Sequence, residues 1–250
     1  MILQIRDLSK KFSGLMALTG ISFGIKKGTI TALIGPNGAG KTTVLQIVSG
    51  IVRASTGIIL YREEDITRAT PHEICDLGIA RTFQLIRLFP DMTVLENVMT
   101  GMHTRARSGV LLSGFRPPVV RKEEKWIREE SHTILDFMGI RDKADWQAMT
   151  LPYGQQRLVE ISRALASKPS LLMLDEPAAG MNAEEREVLA KKIMEIGERG
   201  VTVLLIEHDV GMVMEISDWI VVLNYGRVVA EGTPEVIQKD SKVIEVYLGM

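Results

Sequence analysis

Cysteine is almost absent from this chain: Cys75 stands alone in 250 residues. That excludes an internal disulfide and any metal centre built on cysteines, and it fits a reducing compartment, with the cytosol as the default. Long apolar runs are missing as well. None reaches the roughly 18 residues a membrane-spanning helix needs, and Met1-Ile-Leu-Gln-Ile-Arg-Asp7 lacks a basic region followed by a long apolar one. Any membrane connection is therefore expected to run through a partner. Nor is there an excess of one charge: 30 Lys and Arg are interspersed with 31 Asp and Glu, a net charge of −1. Without a basic stripe or a polybasic tail, no nucleic acid and no anionic lipid surface is expected as a direct partner. What is plentiful is hydrophobic content, 46%, enough to build one large domain or two modest ones.

The chain is organised around Gly35, Pro36, Asn37, Gly38, Ala39, Gly40, Lys41, Thr42 and Thr43, which match the P-loop spacing in full. Three glycines let the backbone turn tightly enough to aim successive N–H groups at one anion. Lys41 adds a point charge for the outer phosphates, and the Thr42 hydroxyl can ligate Mg²⁺. The β-branched run Thr29–Ile34 ahead of it reads as a buried parallel strand. Behind it Val44, Ile47 and Val48 recur at helical spacing until Gly50 offers a stop. Strand, loop and helix in that order place the phosphates on a helix N-terminus.

In chain order, Ile2 to Leu8 alternates apolar and polar residues, and Ile21, Phe23 and Ile25 repeat the pattern, predicting two antiparallel strands. Phe12 lies between them in Lys10-Lys11-Phe12-Ser13-Gly14. It reads either as a hairpin or core aromatic or, at this distance from a P-loop, as a platform for a nucleotide base. A second hairpin is expected over Thr56–Ile66, then a helix capped by Thr70 with Pro71 at its first position. Gly78-Ile-Ala-Arg-Thr-Phe-Gln84 reads as a short strand ending in an amide. Residues 101–122, with Pro117-Pro118 and Arg105, Arg107, Arg116, Arg121 and Lys122, read as a flexible connection facing either a membrane partner or solvent. A helix is predicted over Glu123–Met138, ended by Gly139.

Leu151-Pro-Tyr-Gly-Gln-Gln156 opens a helix predicted over Arg157–Ser167, with Gly154 just before its start, where free N–H groups offer an anion site. The apolar strand Leu171–Asp175 then delivers Asp175 and Glu176 side by side at its C-terminal end, where open α/β sheets hold ligands. In P-loop enzymes the first such carboxylate serves the Mg²⁺ shell and the following acid acts on the attacking water. After a helix over Ala183–Glu198 comes the strand Val201–Ile206, which brings His208 to the same sheet edge, within reach of a γ-phosphate. A hairpin around Asn224-Tyr-Gly-Arg227 and two short helices, the first opened by Thr233-Pro234, complete the pattern.

Together these motifs resemble the ATP-binding cassette (ABC) ATPases, from about Leu3 to the C-terminus. The resemblance implies an α/β fold: a P-loop NTPase (RecA-like) core with an antiparallel β-subdomain and an inserted α-helical subdomain. Residues 1–85 and 166–250 would form the core and 86–165 the helical part of one domain. By the same resemblance Phe12 stacks on the base, Gly35 to Thr43 form the Walker A loop, and Gln84 is the Q-loop residue linking Mg²⁺ to the helical part. Tyr153, Gly154 and Gln155 stand in the signature, Asp175 is the Walker B metal ligand, Glu176 the general base and His208 the switch histidine. ATP and Mg²⁺ are the implied cofactors.

Within the family the chain is similar to the ATPase subunits of branched-chain amino-acid importers, on Gly78–Gln84, the insert at 101–122, Tyr153–Gln156 and Glu176–Gly180. Importers of urea or other amides and the lipopolysaccharide-export ATPase share much of that pattern. The implied partners are membrane permease subunits, a second copy or a related ATPase to complete a dimer, and indirectly an external substrate-binding protein. The implied location is the cytoplasmic face of the cell membrane. A soluble ABC ATPase acting on nucleic acid or ribosomes is the alternative from another class, and it would be expected to carry tandem cassettes or basic arms, which are missing here. The chain departs from the family pattern at Pro152, where the signature has serine, at Tyr153, where it has glycine, and at Asn182, where the D-loop usually has aspartate.

Overall fold

The computed structural model describes residues 1–103 and 118–248. Two sheets share the chain. The first is antiparallel, in the order β2-β1-β4-β5, from β1 (Leu3–Phe12), β2 (Leu15–Ile25), β4 (Thr56–Tyr61) and β5 (Glu64–Asp65). The second has the order β10-β9-β3-β8-β7-β6, from β3 (Ile30–Ile34), β6 (Ile79–Arg81), β7 (Leu171–Asp175), β8 (Thr202–Ile206), β9 (Trp219–Asn224) and β10 (Arg227–Gly232). It is parallel except for the edge strand β10, which pairs antiparallel with β9.

The apolar runs of β3, β7 and β8 follow from burial on both faces, every residue of all three being buried. Alternation then divides their side chains. Leu172, Leu174, Val203 and Leu205 pack with the helical elements, while Leu171, Met173, Leu204 and Ile206 pack toward the antiparallel sheet and the P-loop helix. Register sets the site: Asp175 pairs with Ile206, and β3 lies between β8 and β9, so the C-terminal ends of β3, β7 and β8 share one edge.

The helices are α1 (Lys41–Val48), α2 (Pro71–Asp76), α3 (Val94–Thr100), α4 (Pro118–Met138), α5 (Tyr153–Ala166), α6 (Ala183–Glu198), α7 (Val210–Ile216), α8 (Pro234–Ile237) and α9 (Ser241–Leu248). Capping boxes start α2 at Thr70, α3 at Thr93 and α6 at Asn182, each closed by a glutamate three residues on. Asn182 thus meets a local demand that an aspartate would meet equally well.

Three sequence expectations are corrected. α4 begins at Pro118, not Glu123, so Arg121 and Lys122 lie exposed on a helix and not in a loop; Arg105, Arg107 and Arg116 lie outside the described residues. Proline suits a first helical turn, which needs no N–H from it, so Pro118 marks a start and not a break. α5 begins at Tyr153, four residues early, which puts Gly154 in its first turn. β1 and β2 run on to a two-residue turn at Ser13 and Gly14, both with positive φ, making Phe12 the last residue of a strand.

Candidate active site

The P-loop leaves β3 at a place only glycine can occupy. Gly35 has φ 146°, and a Cβ there would lie 2.0 Å from the Leu223 carbonyl oxygen. Gly40, at φ 104°, has the Leu18 side chain at 2.6 Å from the corresponding point. The loop is also fastened to the C-terminal hairpin: Gly226 N–H donates to Ala39 O at 3.0 Å, and Thr19 N–H donates to Gly226 O at 2.8 Å. Lys41 is buried, and its Nζ donates to Gly35 O at 2.7 Å and Pro36 O at 3.0 Å. Burial pulls this ammonium below the ordinary lysine range, against the opposing charges of Glu176 and Asp175. A nucleotide would therefore draw Lys41 from the loop's own carbonyls to phosphate oxygens, exchanging neutral for charged acceptors.

A cavity of about 440 Å³ lies over the loop and reaches from Lys41, Thr42 and Glu176 to Phe12. Phe12 is 39% exposed, with the Lys10 ammonium 4.6 Å from its ring centre. Tyr225, 87% exposed in the β9–β10 turn, lines the same cavity. In the sequence it is one residue of a turn motif, and nothing there marks it as a neighbour of Phe12.

At the ends of β7 and β8 three expected residues converge. Gln84 Nε2 donates to Glu176 Oε2 at 2.8 Å, and His208 Nε2 lies 2.6 Å from Glu176 Oε1. Both Glu176 oxygens are thus engaged, on a residue held at φ 48°, a left-handed backbone a glutamate adopts at a cost of order 1–3 kcal/mol. The neighbouring Glu207 staples the loops after β7 and β8, accepting from Ala178 N–H at 2.7 Å and His208 N–H at 2.8 Å.

Asp175 is buried and paired through Oδ2 with Arg81 Nη2 at 2.8 Å, whereas its Oδ1 has no partner. Burial pushes the Asp175 carboxyl above the usual carboxylate range, and Arg81 opposes the shift. An unpartnered buried carboxylate oxygen at a strand end beside a phosphate loop fits a hard cation of the Mg²⁺ type.

The signature helix α5 starts with no side-chain cap, since its N-cap is Pro152. The N–H groups of Tyr153, Gly154 and Gln155 therefore lack intrahelical acceptors at the positive end of the helix dipole. Gly154 packs against α6 so closely that a Cβ would lie 2.6 Å from Glu185 Oε1. Further along the same helix Arg157 is fully buried. Its Nη1 donates to Phe83 O at 2.7 Å and to Glu160 Oε2 at 2.6 Å, and its Nη2 donates to Gln84 O at 2.7 Å. The signature helix thereby grips the two backbone carbonyls on either side of the Gln84 Cα. Arg81, Arg157 and Glu160 were not singled out from the sequence. The available signal was a charge embedded in an apolar run, Ile-Ala-Arg in one case and Arg-Leu-Val-Glu-Ile in the other.

Comparisons with known proteins identify the family. The ABC transporter family profile matches residues 18–179, and a profile for branched-chain amino acid ATP-binding cassette transporters matches residues 227–249. The high-affinity branched-chain amino acid transport ATP-binding protein BraF of Pseudomonas aeruginosa is 41% identical over 249 residues, 99% of this chain and 98% of the relative. LivG of Escherichia coli K12, described in the same words, is 39% identical over the same shares. The probable branched-chain amino acid transport ATP-binding protein LivG of Archaeoglobus fulgidus is 42% identical over 250 residues, 99% of this chain and 95% of the relative. Among solved structures, a nucleotide-free ATP-binding cassette from an ABC transporter aligns with a TM-score of 0.86 at 33% identity, covering 100% of this chain and 99% of that one. The ADP conformation of such a cassette gives 0.86 at 35% identity, with the same coverage. This chain belongs to the ABC transporter family of ATPases, among its branched-chain amino acid transport ATP-binding proteins.

Proposed function

We propose that the chain is the ATP-hydrolysing motor subunit of an importer that takes up branched-chain amino acids through separate permease subunits. The observation that carries this reading is Glu176, held through both carboxylate oxygens by Gln84 and His208 beside the cavity that Lys41 and Thr42 also line. In that pose Glu176 can take the proton of a water attacking the γ-phosphate, while Lys41 meets the outer phosphates. Thr42, Asp175 and the amide oxygen of Gln84 would hold Mg²⁺. The ion supplies Lewis acidity and neutralises the charge on the β- and γ-phosphates. No group of three or more His, Cys, Asp or Glu among the described residues forms a metal cage, which suits an ion whose other ligands are phosphate and water.

Residues 1–85 and 166–250 then act as the nucleotide core and 86–165 as the helical part that answers it. A cavity of about 880 Å³ runs between them, with Arg81, Phe83, Arg87, Phe89 and Arg163 on its walls. Its apolar and basic lining suits a permease segment bearing apolar and acidic side chains. No helix among the described residues is long and apolar enough to cross a membrane, so contact with the bilayer falls to that partner.

The test is to isolate the native complex from membranes and identify the permease that accompanies it, then measure ATP-driven leucine uptake into vesicles holding the assembly. A particle containing nucleic acid, or a permease for another substrate, would overturn the reading. A narrower expectation concerns Phe12. Phe12→Ala is expected to weaken ATP binding about tenfold, base stacking on an aromatic being worth about 1–3 kcal/mol. Tripolyphosphate, which has no base, should bind equally to both forms in a competition titration. Unchanged ATP affinity would return Phe12 to a packing role.

A further inference from the structure

We propose that Arg81 is a positioning residue for the metal-binding carboxylate: it holds Asp175 by one oxygen and leaves the other facing the Mg²⁺ shell. The proposal rests on the reading of Asp175 as a magnesium ligand.

Arg81 is the last residue of β6, after the buried Ile79 and Ala80. Its side chain is 8% exposed and that of Asp175 2%, so the pair is shielded from water. The guanidinium spans two anchors. Nη2 reaches Asp175 Oδ2 at 2.8 Å, and Nη1 donates to Ser49 Oγ at 3.0 Å. Ser49 follows α1 directly and donates its own hydroxyl proton to Leu45 O at 2.7 Å. One planar group therefore ties the carboxylate at the end of β7 to the far end of the P-loop helix. A lysine offers a single nitrogen and lacks the rigid planar fork that meets the two anchors here.

The use of a single oxygen is informative. Arginine and carboxylate commonly meet through two parallel hydrogen bonds, which satisfies both oxygens. Here the second nitrogen goes to Ser49 and Asp175 Oδ1 stays buried without a partner. A pair kept only for stability has no reason to leave that oxygen unsatisfied, since an unpaired buried acceptor costs about 1–3 kcal/mol. A carboxylate waiting for a cation does. The guanidinium also lies 5.3 Å from the Phe83 ring, against which Arg87 stacks at 4.4 Å, and all three residues line the wide cavity proposed for the permease. A partner pressing on that wall would act on the orientation of Asp175 through one side chain.

The experiment compares the native protein with Arg81→Lys, Arg81→Met, Ser49→Ala and Asp175→Asn. A fluorescent ATP analogue is titrated in EDTA and then across Mg²⁺ concentrations, and Mn²⁺ bound to the protein–nucleotide complex is counted by electron paramagnetic resonance. Both Arg81 variants are expected to bind nucleotide in EDTA within about twofold of native. Their Mg²⁺ midpoints should rise about tenfold, at the lower end of the 10–100-fold typical for partners of metal ligands. Ser49→Ala, which frees one end of the fork, should show a smaller rise in the same direction. A fold defect would lower affinity in EDTA as much as in Mg²⁺, and that pattern would overturn the proposal. So would unchanged midpoints in the Arg81 variants with a raised midpoint in Asp175→Asn. If Asp175→Asn itself keeps the native midpoint, the metal reading fails and the proposal with it. Should Arg81→Met not fold, Arg81→Lys and Ser49→Ala carry the same comparison.

Discussion

Glu176→Gln is expected to bind ATP about as tightly as the native protein while turnover falls by about 10²–10⁴-fold, the usual contribution of a positioned general base. The substitution keeps the shape, replaces the carboxylate's charge by a neutral amide and removes the ability to accept a proton. Because a base acts in the transition state, its loss should appear in kcat and leave ground-state affinity intact. Lys41→Ala is the contrast: Lys41 lies on the phosphate loop itself, so binding should weaken first. Equal loss of nucleotide affinity in both variants would contradict the assignment. Blocking hydrolysis should also reveal the assembly. The helix start at Tyr153, Gly154 and Gln155 points N–H groups at an anion its own chain does not supply, and a second copy's ATP would fit there. ATP would then favour the closed pair by mass action. Glu176→Gln with ATP should elute at twice the monomer mass under light scattering, and return to monomer with ADP. Gly154 is a poor place to test this, because any side chain there strikes Glu185 within the same chain. Gln155→Glu is cleaner. It is nearly isosteric and the helix dipole favours its charge, and the partner's γ-phosphate would repel it; because Gln155 Oε1 is buried without a partner, the melting temperature of the monomer is measured alongside to separate a fold defect from lost dimerisation. A Glu176→Gln, Gln155→Glu protein that still dimerises with ATP would show that the signature does not meet the phosphate.

Arg157→Leu is expected to destabilise the fold by about 3–5 kcal/mol, the cost of leaving one member of a buried ion pair without the other. For a chain of this size each kcal/mol lowers the melting temperature by about 2–4 °C, so calorimetry should resolve the change easily. The loss falls in a particular place. Glu160 would keep only the weak donor Arg87 N–H at 3.3 Å, and the carbonyls of Phe83 and Gln84 would lose the cation they share. Replacing Arg157 and Glu160 together by leucine should recover part of the stability, since no charge then stays buried alone. It should not restore turnover, because Gln84 remains released from α5. A single Arg157→Leu protein within about 1 kcal/mol of native would show that water reaches the pair.

Much of this site was legible because its chemistry is local. A P-loop is one continuous stretch whose glycines meet steric demands, as Gly35 and Gly40 do, and Asp175, Glu176 and His208 follow apolar strands whose ends a parallel sheet must align. What stayed hidden depends on neighbours distant in sequence. Arg157 acts on Phe83 and Gln84, Arg81 on Ser49 and Asp175, and neither partnership leaves a spacing to read. Helix starts were misplaced for a related reason. At α5 the signature Pro152-Tyr-Gly reads as a turn, yet proline fixes an extended residue just ahead of the helix and glycine is accepted inside because Glu185 crowds it.

The position of β3 carries a consequence for how the protein is made. Its strand neighbours are β8, beginning at Thr202, and β9, beginning at Trp219, while the P-loop's fastening to Gly226 comes later still. On a ribosome the phosphate loop is thus among the first parts to emerge and among the last to find its place. Until the final fifth of the chain arrives, an apolar strand with both edges unpaired must wait, which is a state prone to aggregation. Such distant pairing also favours slow folding. Nascent chains halted before Thr202 should therefore bind no ATP and depend on chaperones, whereas chains released after Gly226 should acquire nucleotide binding in one step.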